Sequence, residues 1–187
     1  MQPVLPAEVD RTQPKLMTMD IEQLKTDVDF MMQALKEAQA ANDEGEVPIG
    51  CVIVADEGSS SGKRKASGQR IIARAHNLTE ALNDPTAHAE MQAITSATAY
   101  LGGKYLDKCT LYVTVEPCPM CAAALNWAQI GRIVYGCADP KRGASLFSPA
   151  LYHPRTEVTS GILEKECSVL IKDFFQQKRK KQNPSKS

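Results

Sequence analysis

The sequence predicts an α/β fold, a three-layer α/β/α sandwich built around a five-stranded mixed sheet. A length of 187 residues suits one domain with a substantial core. Hydrophobic residues make up 43% of the chain and charged residues 24%, as in ordinary globular proteins. After an opening hairpin, helical and strand patterns alternate, which is typical of helices packed on both faces of one sheet.

The first half of the chain predicts one helix and a hairpin. Apolar residues recur at helical spacing after Asp20, a suitable N-cap, and Gly45 is expected to end that helix. Two β-branched segments, 49–55 and 69–75, are predicted to pair as strands. The polar residues 56–68 between them predict a long hairpin loop.

The second half predicts three further strands and three helices. Asp84 followed by Pro85 is expected to begin a helix that reaches about residue 101, before Gly102. Pro117 and Cys118 are expected to open the next helix, over 120–129. The predicted strands are 109–115, 132–136 and 157–159. The closing helix is predicted over 162–180, with a buried face made of Leu163, Val169, Leu170 and Phe174.

One folded domain is predicted over 20–182, with irregular segments on both sides. Residues 1–19 mix proline, glutamine and charges without a period, and predict a flexible N-terminal arm. Residues 183–187 predict a flexible basic tail.

One histidine, two cysteines and one glutamate form the most informative pattern. His88-Ala89-Glu90 stands at one predicted helix start, and Pro117-Cys118-Pro119-Met120-Cys121 stands at the next. His88, Cys118 and Cys121 are predicted to bind one Zn²⁺ and to leave its fourth position open for water, as in catalytic zinc sites. Glu90 is predicted to be the catalytic proton carrier, because a nearby carboxylate can move protons to and from that water.

The cysteine pair has two other interpretations. A structural zinc site normally has four Cys or His ligands, and His153 is the candidate for the fourth. A thioredoxin-like redox pair would leave His88 and Glu90 without a role. The remaining four cysteines are scattered, which favours a reducing, cytoplasmic location over a disulfide framework.

Charge and hydropathy limit the classes of partner. Twenty-two basic residues balance 22 acidic ones, which argues against a generally basic nucleic-acid coat. A basic run at 178–181 predicts that any contact with a polyanion is local. No run of about 18 apolar residues occurs, so no membrane span is predicted.

The pattern H-x-E…P-C-x-x-C is the signature of zinc nucleobase deaminases. Beyond this zinc core, the chain resembles the bacterial tRNA-specific adenosine deaminases over about residues 21 to 182. The matching segments are 46–50, 76–77, 84–90, 111–118, 135–136, 139–144, 153–154, 161–163 and 173–175. The resemblance implies a cytidine deaminase-like fold, and hydrolytic conversion of the wobble adenosine of a tRNA anticodon to inosine.

The resemblance also implies substrate contacts. Asn77 matches a position that hydrogen-bonds the flipped purine, while Val47 and Pro48 match an apolar wall beside the base. Asp139 matches a contact to the sugar-phosphate, and Lys141 lies in the same loop. Turn or strand-end roles remain open for Asn77 and Asp139. The other expected substrate contacts are Ala89, Phe175 and Lys178.

The implied partner is a tRNA anticodon stem-loop, where an unpaired base can be turned out at a cost of a few kcal/mol. The resemblance implies a homodimer, and the apolar run 121–130 suits such a contact. The basic residues 63–65 leave two interpretations of the hairpin loop, a disordered insertion or an RNA contact. The alternative functions are deamination of a free base or nucleoside, of the guanine or cytosine type, and a non-catalytic RNA-binding subunit. The intact Glu90 argues against the latter.

Overall fold

The computed structural model describes residues 20–56, 68–147 and 151–182, and it confirms the predicted three-layer fold. The predicted arm 1–19, the tail 183–187 and positions 57–67 of the predicted loop lie outside the described residues. The elements are α1 (Ile21–Asp43), β1 (Gly50–Asp56), β2 (Gln69–His76), α2 (Ala89–Leu101), β3 (Cys109–Val115), α3 (Pro119–Trp127), β4 (Arg132–Cys137), β5 (Glu157–Ser160) and α4 (Glu164–Gln182).

The five strands form one mixed sheet in the order β2-β1-β3-β4-β5. The β2–β1 and β1–β3 pairs are antiparallel, whereas β3, β4 and β5 run parallel. Cys51 pairs with Val113, so the beginning of β1 lies beside the carboxyl end of β3. Gly50 pairs with His76, which brings the end of β2 to the same edge.

Two apolar layers cover the sheet. On one face α2 and α3 pack against alternate strand residues, with Ala93, Leu125, Ile53, Leu111 and Ile133 among the buried members. On the opposite face α1 and α4 pack, and their buried cluster includes Met31, Ala34, Val52, Val134 and Cys167. Alternation of strand side chains between the two faces produces this division.

A buried ion pair links α1 to the sheet. Arg132 on β4 donates to both carboxylate oxygens of Asp27, each at 2.7 Å. The Tyr112 hydroxyl donates to the same carboxylate at 2.8 Å, and the Arg132 guanidinium also donates to Thr159 at 3.0 Å. Asp27 is fully buried, so these donors replace the water that the carboxylate loses on folding.

The predicted start of α2 at Asp84 was wrong. The Asp84 carboxylate accepts hydrogen bonds from the Thr86 N–H and hydroxyl, both at 2.7 Å, and so it caps a turn. A residue before proline is also disfavoured in helical conformation. The helix begins at Ala89 with His88 as its N-cap residue, which leaves Glu90 in the first turn as predicted.

The closing helix also differs from the prediction. It begins at Glu164 and not at residue 162, because Gly161 and Leu163 have positive φ angles of 86° and 53°. Val169 is 56% exposed, so its predicted burial was wrong. Cys167 defines the buried stripe of α4, and a residue two positions later points about 200° away from it.

The remaining boundaries agree with the prediction to within one or two residues. The side chain of Asp20 accepts the Glu22 N–H at 3.3 Å and so caps α1, while Gly45 follows the end of that helix with a φ of 82°. Across the described ranges, every helix is too short or too polar to cross a bilayer.

Candidate active site

The predicted zinc ligands meet at the carboxyl end of β3. Cys118 is the N-cap residue of α3, and Cys121 lies in the first turn of that helix. His88 is the N-cap residue of α2, on the same face of the sheet. Cysteine is stabilised as thiolate at helix N-termini, so the start of α3 favours metal ligation by Cys118 and Cys121.

The donor atoms of these three residues are close enough to share one ion. The Nδ1 atom of His88 lies 3.6 Å from the Cys118 sulfur and 3.6 Å from the Cys121 sulfur. A tetrahedral zinc ion with bonds of about 2.3 Å to sulfur and about 2.0 Å to nitrogen separates those atoms by about 3.5 Å. The donor set and its spacing therefore fit zinc.

The pKa values of the two cysteine thiols are shifted in opposite directions. The hydrogen bond from the Cys121 thiol, together with the contact to His88, outweighs burial and lowers the pKa of Cys118 to about 4. The same sulfur–sulfur hydrogen bond and burial raise the pKa of Cys121. The pKa of His88 is raised, chiefly by its hydrogen bond to Cys118. Metal binding would displace the protons that the cysteine and histidine ligands still carry.

Glu90 lies beside the ligands with an unused carboxylate oxygen. It is only 3% exposed, and its Oε2 atom has no hydrogen-bond partner among the described residues. Burial is the main cause that raises the pKa of this carboxyl, and the charge on Cys118 raises it further. A buried, unsatisfied carboxylate next to a metal site is suited to bind and move a proton.

The predicted base-contacting residues converge on this site. Asn77 follows β2, and its side-chain oxygen accepts the backbone N–H of Ala89 at 2.9 Å. The Asn77 N–H donates to the Ile49 carbonyl at 3.1 Å, which places Asn77 next to the segment that contains Val47 and Pro48. Pro48 is buried and Val47 is half-buried.

The loop that carries Asp139 and Lys141 lies against the segment that precedes the zinc-ligating turn, since the Ala144 N–H donates to the Pro117 carbonyl at 3.0 Å. Asp139 uses its Oδ1 atom to accept the N–H groups of Lys141, at 2.9 Å, and Arg142, at 3.1 Å. Asp139 therefore caps a turn, as its alternative role predicted. The side chains of Lys141 and Arg142 are exposed.

The C-terminal half of α4 reaches the loop before His88. Lys178 forms an ion pair with Glu80 at 3.7 Å, and its ammonium lies 5.7 Å from the centre of the Phe174 ring. Phe174 is half-buried and Phe175 is exposed. An exposed aromatic ring and a cation are thus both available near the site.

His153 does not take part in the donor group. Within the described residues, the His, Cys and acidic side chains that could hold a metal together are His88, Cys118 and Cys121. The Nδ1 atom of His153 instead accepts the Arg155 N–H at 3.2 Å. A structural site that uses His153 as fourth ligand is therefore not formed.

Two buried glutamates near the site received no role from the sequence. Glu46 accepts the N–H groups of Glu80 and Ala81, both at 2.8 Å, while Glu116 accepts those of Asp139 and Ser145. Glu46 stands two positions before Pro48, and Glu116 stands one position before Pro117, directly after β3. Glu116 follows the mostly apolar segment 109–115, and an acid in that setting is the available sequence signal for a buried carboxylate that binds backbone N–H groups.

Comparison with known proteins identifies the class. The family model for the cytidine and deoxycytidylate deaminase zinc-binding region matches residues 24–137. This match, the mixed sheet and the His–Cys–Cys donor group define a zinc-dependent deaminase, which is a hydrolase.

More similar relatives narrow the family. A tRNA-specific adenosine deaminase of Bacillus subtilis is 42% identical over 162 residues, which cover 84% of this chain and 93% of the relative. One from Agrobacterium fabrum is 44% identical over 155 residues, with coverages of 80% and 94%. A solved structure from a study of A-to-I editing by tRNA:A34 deaminases at the wobble position of transfer RNA has 43% identity and a TM-score of 0.66. The match covers 76% of this chain and 98% of the chain in that structure. The chain belongs to the tRNA-specific adenosine deaminase family.

Proposed function

We propose that this chain hydrolyses the wobble adenosine of a tRNA anticodon to inosine and ammonia. The observation that carries the proposal is the convergence of the zinc donor group, the unsatisfied Glu90 oxygen and Asn77, which binds the first N–H of α2, at one edge of the sheet. The proposal is also supported by relatives whose names specify this activity and whose similarity extends over most of the chain.

Each residue of the site has a distinct task. His88, Cys118 and Cys121 would hold the zinc ion, which would act as a Lewis acid and lower the pKa of a bound water to about 7. Glu90 takes a proton from the attacking water and gives it to the adjacent ring nitrogen of adenine. The water oxygen bonds to C6, the carbon that carries the amine. Glu90 then transfers the second proton to the departing amine, so ammonia leaves and a carbonyl remains.

The surrounding residues would hold the flipped nucleotide. Asn77 would orient the purine, with Ala89 next to it, and Val47 with Pro48 would contact the apolar face of the base. Asp139 and Lys141 would fix the neighbouring sugar-phosphate. On α4, Phe175 and Lys178 would contact the flanking loop, by stacking and by charge. These contacts would hold an unpaired loop base more readily than one in a duplex.

A substrate panel tests the assignment. The zinc-loaded chain would be incubated with an anticodon stem-loop that carries adenosine at the wobble position, and separately with adenosine, cytidine, guanine and cytosine. We expect inosine in the stem-loop and no ammonia from the small molecules. Ammonia from a free base or nucleoside, with an unchanged stem-loop, would contradict the tRNA assignment and leave the zinc chemistry intact.

We also propose a homodimer, located in the cytoplasm. Trp127 on α3 is 84% exposed, and Leu146, at the end of the 3-10 helix Ala144–Leu146, and Phe147 after it are also exposed. A contiguous apolar contact through α3 would remove these side chains from water. Light scattering after gel filtration should give twice the chain mass for the wild type and the monomer mass for Trp127→Glu. A wild-type monomer at micromolar concentration would contradict the dimer.

A further inference from the structure

We propose that Glu116 is a positioning residue that fixes the loop 139–145, with its two exposed cations, beside the zinc-ligating turn. This inference rests on the proposed function, because that loop is assigned to the sugar-phosphate of the substrate. It adds a residue that acts through the loop and does not itself touch the RNA.

Glu116 connects the loop to the zinc ligands through its side chain and its backbone. Its Oε1 atom accepts the Ser145 N–H at 2.8 Å, and its Oε2 atom accepts the Asp139 N–H at 3.1 Å. The side chain is only 4% exposed. The Glu116 N–H donates to the Cys137 carbonyl at 2.9 Å. Both ends of the loop are thus bound to a residue two positions before Cys118.

The neighbouring residue Pro117 adds a further connection. Its carbonyl accepts the Ala144 N–H at 3.0 Å. The loop is also closed internally, since the Gly143 N–H donates to the Asp139 carbonyl at 2.9 Å. With Asp139 capping Lys141 and Arg142, the backbone from which these two cations project is held at several points.

Gly143 shows how closely the carboxylate approaches the loop. A Cβ atom at this position would meet the Oε2 atom of Glu116 and, at 2.7 Å, the Asp139 carbonyl. Gly143 has a φ of −64°, which any residue can adopt. Glycine is therefore required here for space and not for backbone freedom. The loop backbone lies directly against Glu116.

The consequence concerns substrate binding. Removing the carboxylate would leave two backbone N–H groups without their acceptor, and the loop would lose its position while keeping its charges. Phosphate recognition by Lys141 and Arg142 depends on that position. We therefore expect a defect in RNA binding, with zinc binding retained.

Two variants test the contact between the Glu116 carboxylate and the loop, one by changing the carboxylate and one by changing the loop. Glu116→Gln keeps the shape but offers only one acceptor, and its amide NH₂ faces an N–H donor. Gly143→Ala forces the loop away from the carboxylate. The matched control is Gly131→Ala, whose Cβ would lie 2.3 Å from the Asp107 carbonyl, at the opposite end of β4. It tests the effect of a comparable steric clash away from the site.

The experiment measures kcat and KM on the anticodon stem-loop over a range of salt concentrations, with zinc content and Tm for each variant. For Glu116→Gln and Gly143→Ala we expect KM to rise at least tenfold, while kcat changes less than threefold and zinc stays at one per chain. The slope of log(kcat/KM) against log salt concentration should become less steep. We expect a change of about 0.7 for each single-strand phosphate that the variant no longer neutralises. Gly131→Ala should lower Tm and leave KM unchanged.

The possible failures are distinct. If wild type forms no inosine in the stem-loop, the proposed function fails and this inference fails with it. If wild type is active but KM and the salt slope of Glu116→Gln match those of Gly131→Ala, only the role of Glu116 is refuted. If Glu116→Gln instead loses both its zinc and its kcat, Glu116 supports the turn that carries the zinc ligands. That result would also overturn the proposal.

Discussion

The side-chain oxygen of Asn77 accepts the first backbone N–H of α2, that of Ala89, at 2.9 Å. This contact joins the end of β2 to the helix that carries Glu90 and follows His88. Because the oxygen is occupied by the helix, the NH₂ group is the part of Asn77 suited to an acceptor on a purine.

Asn77→Asp separates these two tasks. The carboxylate can still accept the Ala89 N–H, so we expect little change in Tm. The donor toward the base is lost, so kcat/KM on the stem-loop should fall roughly 5- to 150-fold, the equivalent of about 1–3 kcal/mol. Asn77→Ala serves as the comparison and should also lower stability by about 1 kcal/mol, since the helix cap is removed. Full activity of Asn77→Asp would refute the assignment of the base contact.

Glu90→Gln should abolish proton transfer while the site retains its metal. General acid–base catalysis contributes about 10²- to 10⁴-fold, and Glu90 acts on two protons, so we expect kcat to fall by at least about 10²-fold. The measurement is single-turnover inosine formation, with zinc content determined on the same sample. A variant that keeps zinc and wild-type kcat would exclude Glu90 as the proton carrier.

Zinc removal should inactivate and destabilise the chain together. An ion that binds only the folded state adds about 4 kcal/mol of stability at 1,000 times its Kd. Dialysis against a chelator should therefore lower Tm and eliminate inosine formation, and stoichiometric zinc should restore both. Cys51→Ala is the control for loss of a cysteine that does not bind the metal, because this buried cysteine lies outside the donor group. Activity that survives complete zinc removal would contradict the mechanism.

The buried pair between Asp27 and Arg132 should dominate the polar contribution to stability. Removing one partner of such a pair costs about 3–5 kcal/mol, because the other charge stays buried. We expect that loss for Asp27→Ala in urea unfolding. The surface pair between Arg74 and Glu37, at 3.5 Å, is the control, and Arg74→Ala should cost at most about 1 kcal/mol. Equal effects of the two substitutions would show that burial does not govern these pairs.

Glu46 should give stability a pH dependence in the acid range. Burial alone would raise its pKa, but the hydrogen bonds from Ala81, Thr79 and Glu80 outweigh it and lower the pKa. A lowered folded-state pKa stabilises the fold above the unfolded value of about 4.3, and that stabilisation is lost as pH falls through the folded pKa. The stability difference between wild type and Glu46→Gln should therefore be full at pH 7 and shrink below about pH 4. A difference independent of pH would refute this contribution.

Features that depend on local periodicity or on the chemistry of side chains could be predicted from the sequence. The order of helices and strands follows from periodicity, and the donor group of His88, Cys118 and Cys121 follows from the ligand requirements of zinc. The start of α2 was misplaced because Asp84 has two competing local partners in Thr86. Sequence periodicity could not exclude Val169 from the core, since the orientation of α4 is set by its contacts with other elements.

The contacts of Glu116 could not be predicted for a different reason. Its carboxylate binds N–H groups 23 and 29 residues further along the chain. Such pairs form only when β3 and β4 are parallel neighbours and the loop folds back over their ends. No local sequence pattern encodes that geometry. The position of Glu116 directly before Pro117 of the zinc-binding motif is the local feature that could draw attention to it.

The position at which inosine forms tests the central claim most directly. A full-length tRNA transcript with adenosine at the wobble position and at other positions of the anticodon loop would be incubated with the zinc-loaded chain, and inosine would be mapped by sequencing. The structure and the family predict inosine at the wobble position alone, and none with Glu90→Gln. Inosine at several loop positions, or none despite one zinc per chain, would contradict the proposed function.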